Sequence, residues 1–316
     1  MPQQGSTTPV SSNYTSTQTS TAGTSNASQP VLYALSLINQ VRSSYGLQNV
    51  SLSGERSGQQ HADSMLQYGY LSHWDIYGMK PYMRYTLLGG TGAVEENVAY
   101  IRNESCSLLG CRGTINVDSA IRSMEDSMLY NDSQCCNNGH RYNILNPNHN
   151  QVSIGVAYNS STVYLVEDFI DNYIAWSGGT PAYSNGYVSL SGSAQSGYSI
   201  SQVLVSYDAP VSNMSAAQLW NTSSYSYGQE IAGVASSPLY YYQGIETIDA
   251  NRYSINGQSF SISFNINKQV SQYGPGEYTL MVWLSNGGSG ENSTFVGATY
   301  TIFINGSGGS YTPKFV

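Results

Sequence analysis

The stretch NNGHRYNILNPNHNQVSIGVAY, residues 137–158, decides how this chain is read. Within it the hydrophobic period changes to strict alternation. VSIGVAYN (152–159) and TVYLVEDFI (162–170), separated only by Ser160 and Ser161, read as the two strands of a hairpin. Upstream the pattern is helical. Leu35, Ile38, Val41 and Tyr45 recur at three and four, with Pro30 near the first turn and Gly46 at the end. A second helix runs from about Ser53, its expected N-cap, through Ala62, Met65 and Leu66 to Gly69. A third covers about Asp118 to Tyr130, with Ile121, Met124 and Met128 as its apolar stripe. Helices before strands make this first domain mixed α+β, with a sheet that need not be parallel.

Beyond Ile174 the texture changes again. Short alternating runs (YVSLSG, SQVLVSYD, QSFSISFNIN, EYTLMVWLS and ATYTIFIN) are spaced by Gly, Pro, Ser and Asn, which suits an all-β sandwich of immunoglobulin-like type. Gly274, Pro275 and Gly276 form the clearest turn into a strand. The expected organisation is therefore a Ser/Thr-rich leader or stalk at 1–29, without any apolar period that could pack, a mixed domain at 30–175, and a β-sandwich at 176–316.

Charged residues are 9% of the chain, against about 25% in typical domains. With 11 Lys and Arg against 19 Asp and Glu, no polybasic patch can neutralise phosphates, which argues against nucleic acid as partner. No apolar run approaches the eighteen or so residues of a transmembrane helix. Protonating every carboxylate would swing the net charge from −8 to +15, and a fold that rests on few carboxylate ion pairs would tolerate this, so the chain reads as acid-tolerant. Unfolding midpoints at pH 3 and pH 7 test that reading, and a large loss at pH 3 rejects it.

Ten N-x-S/T sequons, at Asn13, Asn26, Asn49, Asn103, Asn131, Asn159, Asn213, Asn221, Asn292 and Asn305, point to a glycosylated, extracellular surface. Cys106, Cys111, Cys135 and Cys136 lie in one short stretch, as disulfides tying an irregular loop would. Of the three pairings, a bond between adjacent Cys135 and Cys136 demands a strained peptide, so Cys106 and Cys111 are each expected to bridge to one of them. A zinc site of four thiolates is the rival, and the spacing between the paired cysteines does not suit it.

The order and spacing of LINQVR near residue 37, QQHADSMLQYGYLSHWD (59–75), GMKPYMRY (78–85), EENVAY (95–100), NNGHRYNILNPNHNQVSIGVAY and YLVEDF (164–169) resemble the CAP superfamily, which unites cysteine-rich secretory proteins with plant pathogenesis-related proteins. The resemblance covers residues 31–174 and implies a three-layer α-β-α sandwich there. It also implies two histidines and two acids converging on a cleft that in several members binds a divalent metal. By position these are His73, Glu96 and His140, while the second acid departs from the usual pattern because Met124 stands where a tryptophan normally marks it. Helix geometry selects Glu125, about 70° from the centre of the apolar stripe, over Asp126, more than about 150° away. Such a set would hold zinc in an open site with neutral imidazoles and ionised carboxylates; the alternative is a hydrogen-bonded polar cluster that fixes the loops.

His61 and His149 read as surface or capping residues. Neither a serine-hydrolase elbow nor HExxH, GxGxxG or a P-loop occurs. Tyr240, Tyr241 and Tyr242 suit either a sugar-binding surface or strand packing. The expected function is that of an extracellular, non-enzymatic module. Its cleft would take a metal, lipid or other small ligand, and its sandwich would attach to a cell-surface or envelope component, glycan included. The alternatives are a metal-dependent, peptidase-like hydrolase with Glu96 or Glu125 as base, and a structural envelope or filament subunit.

Overall fold

A computed structural model describes residues 27–103, 106–107, 110–111, 114–222, 224–289 and 293–313. Most of the expected leader, the sequons at Asn13, Asn26 and Asn292, and the side chains of Cys106 and Cys111 lie outside the described residues.

In chain order the first unit contains α1 (Gln29–Ser44), β1 (Ser51–Leu52), α2 (Ser57–Tyr68), α3 (Pro81–Leu87), β2 (Ala93–Arg102), β3 (Cys106–Ser107), β4 (Gly110–Cys111), α4 (Val117–Tyr130), α5 (Ser133–Cys136), α6 (Gly139–Leu145), β5 (Gln151–Tyr158) and β6 (Thr162–Asp171). Four of the strands form one sheet of order β1-β5-β6-β2, with the expected hairpin at its centre, and β3 and β4 pair with each other apart from it. Side chains alternate across it. Val163, Leu165 and Phe169 of β6 pack on α1 and α4, whereas Tyr164 and Val166 pack on Ala62 and Met65 of α2. Helices thus cover both faces, giving three layers.

Helix boundaries follow local chemistry. Asn116 caps α4, its side chain accepting from Ser119 N–H at 2.8 Å. The start of α2 lies later than expected: Arg56, not Ser53, is the N-cap. At α2 the helix approaches β5 closely enough that a Cβ on Gly155 would run into the Gly58 carbonyl, and one on Gly58 into that of Ser153. Gly155→Ala is therefore expected to push the helix off the sheet and destabilise the protein by about 2 kcal/mol, read from denaturant unfolding. An unchanged midpoint would show that the contact is slack.

The second unit contains β7 (Ile174–Trp176), β8 (Ala182–Ser184), β9 (Tyr187–Ala194), β10 (Ser199–Asp208), α7 (Ala216–Leu219), β11 (Gln229–Ala235), β12 (Glu246–Asp249), β13 (Arg252–Asn256), β14 (Ser259–Asn265), α8 (Asn267–Tyr273), β15 (Gly276–Ser285) and β16 (Thr294–Ile304). Two sheets, of order β12-β11-β10-β15-β16 and β13-β14-β9-β7, share one apolar core. Gly276 opens β15 with φ 153°, as the Gly-Pro-Gly turn suggested.

Residues 209–222 and 224–228, between β10 and β11, leave the sandwich and lie against the first unit. Met214 N–H donates to Ile76 O at 2.8 Å, Trp220 Nε1–H to Gly69 O at 2.8 Å, and Ser72 and Thr222 hydroxyls meet at 2.7 Å. At the root of this excursion Asp208 accepts from Lys80 Nζ and Tyr82 Oη, both at 2.7 Å. The two units are clamped together rather than strung on a linker.

Candidate functional site

Strand β2 is the edge of the first sheet, and its alternation sends Glu96 and Asn97 to opposite faces. Along that edge opens a cavity of about 900 Å³. His73 and Glu96 line it on the α2 side, Asn97, His140 and Asn143 on the α6 side, Cys135 and Cys136 at α5, and Tyr225 and Tyr227 from the excursion between β10 and β11. The edge is covered: Glu96 N–H donates to Tyr225 Oη at 3.0 Å.

Each imidazole is oriented by a carboxylate. His73 Nδ1 lies 2.9 Å from Glu96 Oε1, and His140 Nδ1 lies 2.6 Å from Asp132 Oδ1. With Nδ1–H donating to an acid, Nε2 is left as the acceptor nitrogen, which is how ligating histidines are commonly held. Both side chains keep some exposure, 16% and 15%. Tyr225 packs on the His73 ring with centroids 4.9 Å apart. His140 enters in the first turn of α6 because Asn137 and Asn138, at φ 56° and 65°, turn the chain sharply after α5.

Beneath His73 lies a dry polar network. Arg84 donates to the carbonyls of His73 and Met79, each at 2.7 Å, and to Glu96 Oε2 at 2.6 Å. Burial pushes the Glu96 carboxyl up to about 7 against the pull of Arg84. It holds His73 down at about 4, with the Arg84 charge as a second cause, so this imidazole is neutral at ordinary pH. Asp168, raised well above its usual range by burial and then by Glu96, contacts Ser57 Oγ.

The expected four-residue set is only partly assembled. His73, Glu96 and His140 share the cavity wall, but Glu96 spends its oxygens on His73 and Arg84. Glu125 does turn inward and Asp126 outward, yet Glu125 is not on the wall. Burial and the neighbouring Glu167 raise its carboxyl well above the usual range, so it stays protonated and bonds to Glu167, which also accepts from Asn97 Nδ2 at 3.1 Å. The acid that orients the second histidine is Asp132, whose only sequence signal is its position eight residues before His140. The expected four donors therefore do not come together as one ligand set: Glu96 is tied to His73 and Arg84, and Glu125 to Glu167.

Three further expectations need correction. His61 is buried on α2 with Nε2 2.7 Å from Ser72 O, and His149 is buried between Asp171 Oδ1 at 2.7 Å and Glu95 Oε2 at 3.4 Å; neither is a surface residue. Both face inward because each finds an oxygen partner in the core. Cys135 and Cys136 are joined to one another, so neither is left to bridge to Cys106 or Cys111, which face each other as partners in the β3–β4 pair. Asp132, Cys135, Cys136 and His140 each bring one donor atom within 4.8 Å of the others, a group that could hold a metal.

Residues 35–174 match the family model described as CAP, the cysteine-rich secretory protein family. Among solved structures, the CAP domain of Enterococcal PrgA aligns at 17% identity with a TM-score of 0.30, covering 45% of this chain and 60% of that one. This chain therefore spans about 60% of that relative's length. A search of curated proteins returns no match.

Proposed function

Residues 35–174 form a domain of the CAP superfamily, and from that premise we propose that the protein is an extracellular, non-enzymatic CAP module that takes a divalent metal such as zinc, or a small ligand, in the cleft between its two units. The single observation behind this reading is the pair of imidazoles lining one cavity, each with Nδ1 within hydrogen-bond distance of an acid; in the tautomer that donates from Nδ1, Nε2 accepts. A metal bound there would supply a Lewis-acidic centre for anchoring a ligand. His73 and His140 would hold it, Glu96 and Asp132 would orient them, and Tyr225 and Tyr227 would shape the wall.

The hydrolase reading asks Glu96 or Glu125 to act as general base. Glu96 is tied to Arg84 and His73, and Glu125 to Glu167, which disfavours that role. Extracellular placement is supported by exposure of the sequon residues Asn49, Asn131, Asn159, Asn213, Asn221 and Asn305. We take the second unit as the immunoglobulin-like attachment module, with an envelope component, glycan or lipid as its partner.

Zinc titration by calorimetry at neutral pH tests the cleft. One site is expected, with affinity falling at least about tenfold in His73→Ala and in His140→Ala, since each removes one of two protein ligands. Binding that ignores both substitutions, or no binding at all, removes the metal reading.

A further inference from the structure

The second histidine of the cleft serves two neighbourhoods. On its other side stand Asp132, buried, and the joined pair Cys135–Cys136, with Cys135 exposed at the cavity rim. Asp132 Oδ1 is the hub: it lies 2.6 Å from His140 Nδ1 and 3.6 Å from Cys135 Sγ. A tetrahedral zinc with thiolate, imidazole and carboxylate ligands needs donor-to-donor separations of about 3.2–3.8 Å, as follows from metal–ligand lengths of about 2.0–2.3 Å. The four donors all lie within 4.8 Å of one another, near enough to reach that spacing once the sulfurs part and Asp132 and His140 separate. While the sulfurs are bonded to each other they are poor ligands, because the metal-binding species is the thiolate.

We infer that Cys135 and Cys136 form a redox-gated site for a soft divalent cation, closed as the disulfide and opened by a small dithiol reductant. In the opening step the Cys135–Cys136 bond breaks and the reductant's own disulfide forms. Two electrons and two protons pass from the reductant's thiols to the cysteine sulfurs. On binding, the cation displaces both sulfur protons to solvent and is held by the two thiolates, Asp132 and His140. His140 thereby links this site to the cleft. Drawn into the thiolate centre, it exchanges its hydrogen bond to Asp132 for a metal bond and is no longer oriented for the cavity. Softness sets the preference: thiolate donors favour zinc and cadmium over magnesium and calcium.

The test is a cadmium titration of the full chain, oxidised and after dithiol treatment with the reductant removed under inert gas. It is followed by the ultraviolet thiolate-to-cadmium absorption, with the free thiols located by alkylation and peptide mass. The reduced protein should show a saturable one-to-one band that the oxidised protein lacks. The band should be lost in the Cys135→Ser, Cys136→Ser double variant and should persist in His73→Ala, which disables the cleft site alone. A band that survives in the double variant assigns the metal to other cysteines and overturns the proposal. So does a band lost in His73→Ala, a reduced 135–136 pair that binds nothing, or a pair that stays oxidised in the folded protein. Failure of the cleft reading is seen separately, as zinc binding by the oxidised protein that ignores His73→Ala.

Discussion

Lowering the pH from 9 to about 5 is expected to stabilise this protein. One contribution on the alkaline side is that of His149. Burial alone would pull its proton off, but the carboxylates of Asp171 and Glu95 overcome burial and raise it to about 9. The unfolded imidazole titrates near 6.5. Below that pH both states are protonated and the stabilisation is complete. Between 6.5 and 9 only the folded state keeps the proton, so stability is lost as pH rises through that window, about 3 kcal/mol in all. Carboxyls act in the same direction. Burial pushes Glu96 and Glu277 up to about 7 and Asp168 well above its usual range, so each takes up a proton in the folded state before it would in the unfolded chain. Three groups oppose this: His61, held well below its ordinary value by burial and then by Arg84, and His73, held near 4, both cost stability as pH falls from 6.5, and Glu95, held below its ordinary value by His149, costs it in stronger acid. Unfolding midpoints at pH 5, 7 and 9 check the balance. A higher midpoint at pH 5 than at pH 9 is expected, with the slope above pH 6.5 flattened in His149→Gln. Greater stability at pH 9 would show that ion-paired rather than neutral carboxyls govern the fold.

Arg42→Met is expected to cost roughly 4–6 kcal/mol, as much as the whole stability of a domain at the low end of the usual range of about 5–15 kcal/mol. Arg42 is fully buried at the end of α1, and its guanidinium donates to four carbonyls: Gln48 at 2.9 Å, Ile144 at 2.8 Å, Asn146 at 3.0 Å and His149 at 3.0 Å. These belong to the turn after α1, the end of α6 and the loop into β5. One side chain therefore ties three segments, one of them the helix that carries His140. Methionine fills the volume and leaves the carbonyls unpaired, at about 1–3 kcal/mol for each one that water cannot reach. Arg42→Lys keeps the charge but loses the planar fork, so an intermediate loss is expected. Denaturant unfolding of both variants settles it; a loss below about 1 kcal/mol for Arg42→Met would mean that water replaces the guanidinium without penalty.

Arg42 also shows where sequence reading stops. The pattern Leu35, Ile38, Val41 and Tyr45 correctly indicates a helix, but the buried face runs through Val31, Ala34, Leu37, Ile38 and Arg42, while Tyr45 is 48% exposed. An apolar period cannot nominate a cation for the core. Only the carbonyls that surround it make that burial favourable, and they lie up to 107 residues away. Glu167 and Asp168 were hidden in the same way: within TVYLVEDFI they look like the polar end of a strand, and both are buried because β6 has a helix layer on each face.

By itself the sequence determined what is periodic or local: the helices at α1, α2 and α4, the β5–β6 hairpin and the change to a β-rich second unit, whereas His73 and His140 were singled out only by the resemblance to the CAP superfamily. Such features depend on neighbours within a few residues, so they are written in spacing. Tertiary structure alone decided which acids orient those imidazoles, that Glu125 pairs with Glu167, and that the excursion between β10 and β11 returns to wall the cleft with Tyr225 and Tyr227. Those outcomes turn on which polar groups are excluded from water together. Exclusion is a property of packed layers that no window along the chain contains.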